Sequence, residues 1–333
     1  MTTLIAPVAP GRAAELLEAM ATVRAAVVGD LMLDRYLIGD VERISPEAPV
    51  PVLSVDEERL APGGAANVAA NLAALGAEAT LVGVVGDDDA AALLRQVLAS
   101  YALGTEALVP VAGRPTTTKT RIIARGQQVV RIDREVTNPL AGKHRDQVVE
   151  AAHRAIANAD VLVLEDYDKG VFDLPLLADL IQAARAQGIP IVADPKERHF
   201  LGFAGVTVFK PNRRELTGAL RTNVDGEEAD LREARHKLGV DHLLLTLGQH
   251  GMALVGPDGS VRRSPSMALE VFDVSGAGDT VTAWVAAALA AEASMDEAAW
   301  LANVAAGIEV TKQGKETVSP AEVLAAVQDL ETP

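Results

Sequence analysis

The chain has 333 residues, enough for one large α/β domain or two ordinary ones, and about half of the residues are apolar. A net charge of −16 and an aromatic content of 3% argue against nucleic acids and anionic membranes as partners. Cysteine is absent and the six histidines show no metal-ligand spacing, which excludes disulfides and argues against a zinc site. No apolar run is long enough to span a bilayer, so we expect a soluble, cytoplasmic protein.

The first predicted strand is the apolar run Val23–Gly29, which is followed by several acids. Open α/β sheets bind ligands at the carboxyl ends of their parallel strands. We therefore interpret Asp34 as an acceptor for a sugar hydroxyl, the alternative being an acid in a solvated loop. Residues 1–20, ahead of this strand, are predicted to contain a short surface helix.

Two segments, 35–61 and 105–134, interrupt the alternation of strands and helices. The first contains short β-like stretches around a proline-rich link, and the second joins Thr116–Ala124 to Gln128–Asp133 through a hairpin signal. We predict that they form a small separate sheet. It would act as a lid over the carboxyl edge of the main sheet, as a dimer surface, or as both.

Between these segments, Pro62-Gly63-Gly64 leads into a helix that carries Asn67. The pair Gly63-Gly64 lets a ligand approach the backbone closely, and the Asn67 amide can then bind ligand hydroxyls. The alternative is a helix that packs tightly through its small residues.

From residue 144 onward, strands and helices alternate, and polar residues follow several strands. The carboxyl ends of parallel strands line one crevice, so these residues together predict a ligand site. Lys196 suits an anion, while Asn212 and Glu215 offer the oxygens that hydrated magnesium needs. Thr246 and Gly248 suit phosphate contact through a hydroxyl and a backbone N–H. Taken singly, each could be a loop residue, a helix cap or a surface charge. The other strand-end residues in this group include Asp166 and Lys169.

The stretch 272–280 has the most distinctive chemistry. Gly276-Ala277-Gly278 opens an apolar helix, and Asp279 lies in its first turn. Small residues leave the first backbone N–H groups of a helix exposed, where the helix dipole adds positive potential. Asp279 is therefore predicted to accept a hydroxyl proton beside an anion hole that holds a transferred phosphoryl group. The alternative is a tight turn in which Asp279 only caps the helix.

These motifs resemble the ribokinase-like, or PfkB, family of carbohydrate kinases, over nearly the whole chain from Val23 to about Ser319. Pro62–Asn67 is similar to the N-terminal signature of that family, and Asp273–Thr280 is similar to its C-terminal signature. The resemblance implies a three-layer α/β/α sandwich with a mostly parallel central sheet and a small β-sheet lid. It implies one kinase domain over residues 1–333, with ATP as phosphoryl donor and Mg²⁺ as cofactor.

The resemblance also implies roles for single residues. Asp279 would be the catalytic base, and the backbone of Gly276, Ala277 and Gly278 would form the anion hole. The sugar would be held by Asp34, Gly63, Gly64 and Asn67. Magnesium and ATP phosphates would be held, partly through water, by Asn212 and Glu215. Thr246 and Gly248 would touch ATP phosphates, Lys196 would stabilise the transferring charge, and Asn303 would lie beside the adenine. Asp273 and Ser275 would hold a monovalent cation such as K⁺.

Within the family, the chain is most similar to kinases of a heptose 7-phosphate, through the segments 29–36, 43–52, 127–133 and 166–170. That resemblance implies phosphorylation of D-glycero-β-D-manno-heptose 7-phosphate at O1, on the route to nucleotide-activated heptose and lipopolysaccharide. In many bacteria this kinase is fused to a nucleotidyltransferase. Because no His-x-Gly-His motif occurs here, we expect the second activity on another polypeptide. Candidate residues for the phosphorylated sugar are Lys119, Arg121, Arg131, Asp166 and Lys169.

Two alternatives remain open. The chain could phosphorylate a different acceptor, such as ribose, fructose 1-phosphate or a nucleoside. It could also be a non-catalytic sensor of a sugar or nucleotide that has kept the fold. Under each of these, exposed lid strands favour a homodimer formed by edge pairing.

Overall fold

The computed structural model describes residues 3–221, 227–268, 271–312 and 314–331. Among these residues the strands form a ten-stranded sheet and a four-stranded sheet. The strands are β1 (Thr3–Leu4), β2 (Arg24–Gly29), β3 (Leu31–Ile44), β4 (Pro51–Gly64), β5 (Glu78–Val85), β6 (Leu108–Pro110), β7 (Thr118–Ala124), β8 (Gln127–Arg134), β9 (Val161–Glu165), β10 (Ile191–Asp194), β11 (Val208–Phe209), β12 (His242–Thr246), β13 (Met252–Val255) and β14 (Val261–Ser264). The α-helices are α1 (Pro10–Met20), α2 (Ala65–Ala74), α3 (Asp89–Ser100), α4 (Gly142–Ile156), α5 (Leu174–Gln187), α6 (Arg213–Leu220), α7 (Glu228–Leu238), α8 (Ala277–Ala290), α9 (Met295–Glu309) and α10 (Pro320–Glu331).

The larger sheet has the strand order β1-β14-β13-β12-β11-β10-β9-β2-β5-β6. Its central strands pair in parallel, while β12, β13 and β14 pair antiparallel. Helices cover both faces, because each central strand is apolar on both sides. In β2, Val27 packs into one core with α1, α2, α3, α8, α9 and α10, and Val28 packs into a second core with α4, α5, α6 and α7. The result is a three-layer α/β/α arrangement around a mostly parallel sheet.

The four-stranded sheet has the order β4-β3-β7-β8. Its strands β3 and β4 are longer than the β-like stretches in the sequence indicate, because their antiparallel pairing continues, with two register shifts, as far as Leu31 and Gly64 at the edge of the larger sheet. The predicted hairpin is present as β7 and β8. The segment 105–134 does not lie wholly in this sheet, since β6 pairs with β5 of the larger sheet and buries Leu108 and Val109 there.

The N-terminal helix α1 is amphipathic, and it buries Leu16, Leu17 and Met20 against the first core. Within the described ranges, no helix combines the length and the apolar character that a bilayer crossing requires.

The path of the chain places the polar strand ends together. Strand β2 lies between β5 and β9 and passes at Asp30 directly into the four-stranded sheet. The strands on its two sides come from different parts of the chain. In doubly wound sheets, the carboxyl edge at such a point is where ligands bind. The N-termini of α2 and α8 meet at this edge, and the two helices pack against each other.

Candidate active site

Asp279 lies buried in the first turn of α8, with 2% of its surface exposed. The Asn67 amide nitrogen donates to Oδ2 at 2.7 Å, and the Tyr167 hydroxyl donates to Oδ1 at 2.9 Å. The Lys315 ammonium lies 3.5 Å from Oδ2. The structure therefore joins the acid of the C-terminal motif to the asparagine of the N-terminal motif, in a setting that holds the carboxylate in one orientation.

The N-terminus of α8 is open to an incoming anion. Gly276 precedes the helix with a φ of 112°, and no side chain caps the helix end. The first backbone N–H groups of a helix have no partner within it. Ala277 and Gly278 line a pocket of about 530 Å³, so these donors and the helix dipole face a space that can hold a phosphate.

Two further buried acids lie close to Asp279. Carboxylate oxygens of Glu165 and Asp194, from the ends of β9 and β10, lie within 4.8 Å of one another and of an oxygen of Asp279. The Lys210 ammonium pairs with Asp194 at 2.9 Å. Burial, and then the charges of Asp194 and Asp279, raise the pKa of Glu165 well above its usual range. A cation bound here would relieve the repulsion among these acids.

Asp34 is fully buried and lies across Lys315 from Asp279. Arg121 donates to its Oδ1 at 2.5 Å, and the Lys315 ammonium lies 3.0 Å from its Oδ2. Burial opposes the ionisation of Asp34, but these two cations outweigh it and hold the pKa of Asp34 below its usual range. Asp34 is thus an ionised acceptor, as binding of sugar hydroxyls requires.

The Gly63-Gly64 turn is tied to this acid. A Cβ atom on Gly63 would lie 2.6 Å from Asp34 Oδ2, and Gly64 has a φ of +58° with no room for a side chain beside the Asp30 carbonyl. Glycine is needed at both positions because the backbone of the turn packs directly against Asp34 and the Asp30 carbonyl.

Of the four cations predicted to bind the sugar phosphate, three have acidic partners. Arg121 pairs with Asp34, Arg131 with Asp133, and Lys169 with Glu135. Lys119 is half-buried, and its ammonium lies 6.0 Å from the centre of the Tyr167 ring. Among the described residues, no hydrogen bond or ion pair joins Lys119 to an acid. Burial, and then the nearby Lys169, lower the pKa of Lys119.

The 530 Å³ pocket on the other side of the α8 N-terminus is lined by Thr246, Gly248 and Asn303, which were predicted to contact ATP. The Asn303 amide is buried and donates to Ser264 Oγ at 2.8 Å and to the Pro265 carbonyl at 2.6 Å. The sugar-side acids and this pocket thus lie on opposite sides of Asp279 and the α8 N-terminus.

Asn212 and Glu215 form the capping box of α6: each side chain accepts the backbone N–H of the other, at 2.9 Å in both cases. The second carboxylate oxygen of Glu215 pairs with Lys196, whose ammonium lies 4.8 Å from the centre of the Tyr167 ring. Both residues thus cap α6. Direct metal ligation would break these bonds, whereas contact through water would not.

Two predicted site residues are placed differently from the rest. Asp166 was predicted on the sugar side; in the structure its carboxylate is 1% exposed, accepts the Asp168 N–H at 2.8 Å and lies 3.0 Å from the His199 ring nitrogen. Asp273 accepts the Ser275 N–H at 2.9 Å. Asp273 and Ser275 line a separate cavity of about 290 Å³ beside the four-stranded sheet.

Four residues at this site were not assigned roles from the sequence. Tyr167, Lys210 and Glu165 follow or end predicted strands, a signal that could have identified them. Lys315 lies between α9 and α10 and follows no predicted strand, so no such signal marks it.

The amino-acid sequence is similar to those of known proteins. The family model "pfkB family carbohydrate kinase" matches residues 23–322. The chain is 47% identical over 306 residues to the bifunctional protein HldE of Azorhizobium caulinodans, covering 91% of this chain and 64% of that protein. It is 44% identical over 321 residues to the bifunctional protein HldE of Rhodospirillum rubrum, covering 96% and 65%. The chain thus spans less than two thirds of the length of these relatives.

Solved structures show the same fold. Ribokinase of Arabidopsis thaliana, complexed with ribose and ATP, superposes with a TM-score of 0.74 at 22% identity, over 92% of this chain and 99% of that chain. Phosphofructokinase-2 of Escherichia coli, in complex with potassium, gives a TM-score of 0.73 at 21% identity, over 92% and 100%. These likenesses confirm the predicted α/β sandwich with its small sheet. The family match over residues 23–322 shows that the chain belongs to the pfkB family of carbohydrate kinases.

Proposed function

We propose that this kinase transfers the γ-phosphoryl group of ATP to O1 of D-glycero-β-D-manno-heptose 7-phosphate. The product would be the 1,7-bisphosphate, a precursor of nucleotide-activated heptose for lipopolysaccharide. The observation that carries the kinase chemistry is the position of Asp279 beside the open helix N-terminus, between the sugar-side acid Asp34 and the 530 Å³ pocket. The similarity to proteins named HldE supports the choice of heptose.

In this mechanism, Asp279 accepts the proton of the sugar O1 as that oxygen attacks the γ-phosphorus. Asn67 and Tyr167 hold the carboxylate so that one oxygen can face the acceptor hydroxyl. The N–H groups at the start of α8 stabilise the charge on the transferring phosphoryl group. The Lys210 ammonium lies beside this helix end, with its Nζ 3.4 Å from the position that a Cβ on Gly278 would occupy. We therefore assign to Lys210 the role first expected of Lys196.

Magnesium fits the acids at this edge of the sheet. Glu165 is fully buried, and neither of its carboxylate oxygens has a hydrogen-bond partner among the described residues. Oxygen ligands of this kind suit Mg²⁺, and Asn212 and Glu215 would contact its waters. When bound, Mg²⁺ neutralises charge on the ATP phosphates. Asp273 and Ser275 stay our candidates for a monovalent cation, which a potassium-free assay would test.

Lys119 is our choice for the residue that binds the existing phosphate of the substrate. A half-buried ammonium beside a second ammonium is unfavourable without an anion, and Lys119 lacks an acidic partner in the described chain whereas Lys169 pairs with Glu135. A phosphate between Lys119 and Lys169 would relieve this repulsion. The same site would give an unphosphorylated sugar no comparable contact.

The test is a coupled ADP-release assay over a panel of sugars and sugar phosphates, with wild type, Lys119→Ala and Lys143→Ala. Lys143 is an exposed lysine of α4 and serves as the matched control. We expect the heptose 7-phosphate to give the highest kcat/KM. Lys119→Ala should raise the KM for it about tenfold or more, as expected for one lost charged hydrogen bond, with the KM for ATP unchanged. A higher kcat/KM for ribose or fructose 1-phosphate would contradict the heptose assignment.

We also propose a homodimer through the four-stranded sheet. Strand β8 lies at an edge of this sheet and is exposed throughout its length, and Val130 and Ile132 are exposed on it. Edge strands with exposed apolar side chains favour pairing with another chain. Light scattering should give the mass of a dimer, and Ile132→Lys should shift it to that of a monomer. A monomeric wild type would contradict the proposal.

A further inference from the structure

Lys315 lies between two acids of the site, Asp34 and Asp279. Its ammonium lies 3.0 Å from Asp34 Oδ2 and 3.5 Å from Asp279 Oδ2, and only 8% of the side chain is exposed. One cation therefore contacts both the acid that faces the sugar and the acid that accepts the proton.

The charges around Lys315 explain why a cation is needed there. Besides Asp34 and Asp279, the buried Glu309 of α9 lies nearby, and burial, followed by the charges of Asp279 and Asp273, raises its pKa to about 8. Like charges this close repel each other strongly where water is excluded. Arg121 pairs with Asp34 alone. Among the described residues, Lys315 is the cation that contacts Asp279 within 4.0 Å.

The aliphatic part of the Lys315 side chain packs against Gly276. Its Cγ lies 3.3 Å from the position that a Cβ on Gly276 would occupy. The side chain thus packs across the residue that opens α8 before its ammonium reaches the two acids. A lysine held at both its stem and its charged end has lost the freedom that an exposed surface lysine keeps.

We propose that Lys315 is a positioning residue of the kinase: its ammonium holds Asp34 and Asp279 at a fixed separation so that both face the same acceptor sugar. This inference rests on the proposed function, in which Asp279 is the base and Asp34 binds sugar hydroxyls. Loss of the ammonium lets the two carboxylates move apart, which should slow the chemical step more than it weakens nucleotide binding. It is a role through the two acids, without bond making by Lys315 itself.

The experiment compares Lys315→Met with Lys312→Met, using the best acceptor found for the wild type. Lys312 is the matched control, because it lies three residues away and pairs with Glu322 at 2.6 Å, whereas Lys315 pairs with Asp34 and Asp279. We expect Lys315→Met to lower kcat about 100-fold, within the range that loss of one preorganised polar contact at a reacting centre produces. The KM for ATP should stay within about twofold, and Lys312→Met should leave kcat unchanged.

A second variant keeps the test decisive if Lys315→Met is poorly folded. Lys315→Ala leaves a cavity the size of the lost side chain, into which methylammonium or ethylammonium can diffuse. We expect either amine to restore turnover of Lys315→Ala in a saturable manner and to leave the wild type unaffected. A kcat of Lys315→Met close to wild type, or the absence of amine rescue, would overturn the inference. If instead the wild type phosphorylates no sugar, the proposed function fails, and the two failures are thereby distinguished.

Discussion

Replacement of Asp279 by asparagine is the sharpest perturbation of the site, because it removes the proton acceptor while keeping its volume. The structure shows how the amide would fit. Its oxygen can accept from Asn67 and Lys315, and its nitrogen can donate to the Tyr167 hydroxyl, so the local packing survives. General-base catalysis contributes about 10²–10⁴ to a rate, and we expect kcat to fall by two or more decades.

The assay is steady-state ADP release together with direct measurement of nucleotide binding. The dissociation constant for ATP should change little, because the pocket proposed for the nucleotide is lined by Thr246, Gly248 and Asn303 and not by Asp279. Asp160→Asn is the control, since Asp160 precedes β9 at the opposite edge of the sheet and pairs with Arg24. A kcat for Asp279→Asn within tenfold of wild type would refute the role of the carboxylate as base.

Three other predictions concern the surroundings of this acid. Tyr167→Phe removes one hydrogen bond to the Asp279 carboxylate; a charged hydrogen bond contributes about 1.5–3 kcal/mol, so kcat should fall at least tenfold, and unchanged kcat would show that this hydroxyl does not orient the base. Gly276→Ala forces a side chain onto a residue with a φ of 112°, so thermal denaturation should show a loss of about 1–3 kcal/mol, and an unchanged Tm would contradict the strain. The hydrogen bond to Asp166 raises the pKa of His199, although burial acts in the opposite direction. The stability that protonated His199 gives the folded state is complete below the unfolded pKa of about 6.5 and is lost as pH rises through the folded pKa. The wild type should therefore lose more Tm than His199→Gln between about pH 5 and pH 8, and parallel curves would exclude the contribution.

Much of the architecture was predictable because the strands are short apolar runs that end in polar residues. The apolar pattern of the sequence predicts a helix at Leu174–Gln187 and a strand at His242–Thr246, and the structure has both elements with these bounds. Local signals sufficed there, because Gly188 stops the helix in the left-handed conformation and the strand is bounded by polar residues. That Asn67 and Asp279 belong to one site followed from the resemblance to the PfkB family, which places both motifs there, and the structure joins them by a hydrogen bond.

Other features depend on which way a side chain points, which spacing along the chain does not determine. Asp166 and Glu165 are neighbours at the end of β9, yet Glu165 lies beside Asp279 while Asp166 turns away to His199. Side chains that alternate across a strand separate adjacent acids in this way. Lys315 contacts Asp34 from the far end of the sequence, and no local pattern encodes a contact at that separation.

The central claim is that Asp279 directs a phosphoryl group from ATP onto the anomeric oxygen of a sugar that already carries a phosphate. The most direct measurement is ³¹P NMR of the product formed by the wild type from ATP and D-glycero-β-D-manno-heptose 7-phosphate. We predict a second phosphorus signal that couples to the anomeric proton, with the signal of the 7-phosphate retained, and no such product from Asp279→Asn. A phosphate added at any other oxygen, or hydrolysis of ATP without a sugar bisphosphate, would contradict the account.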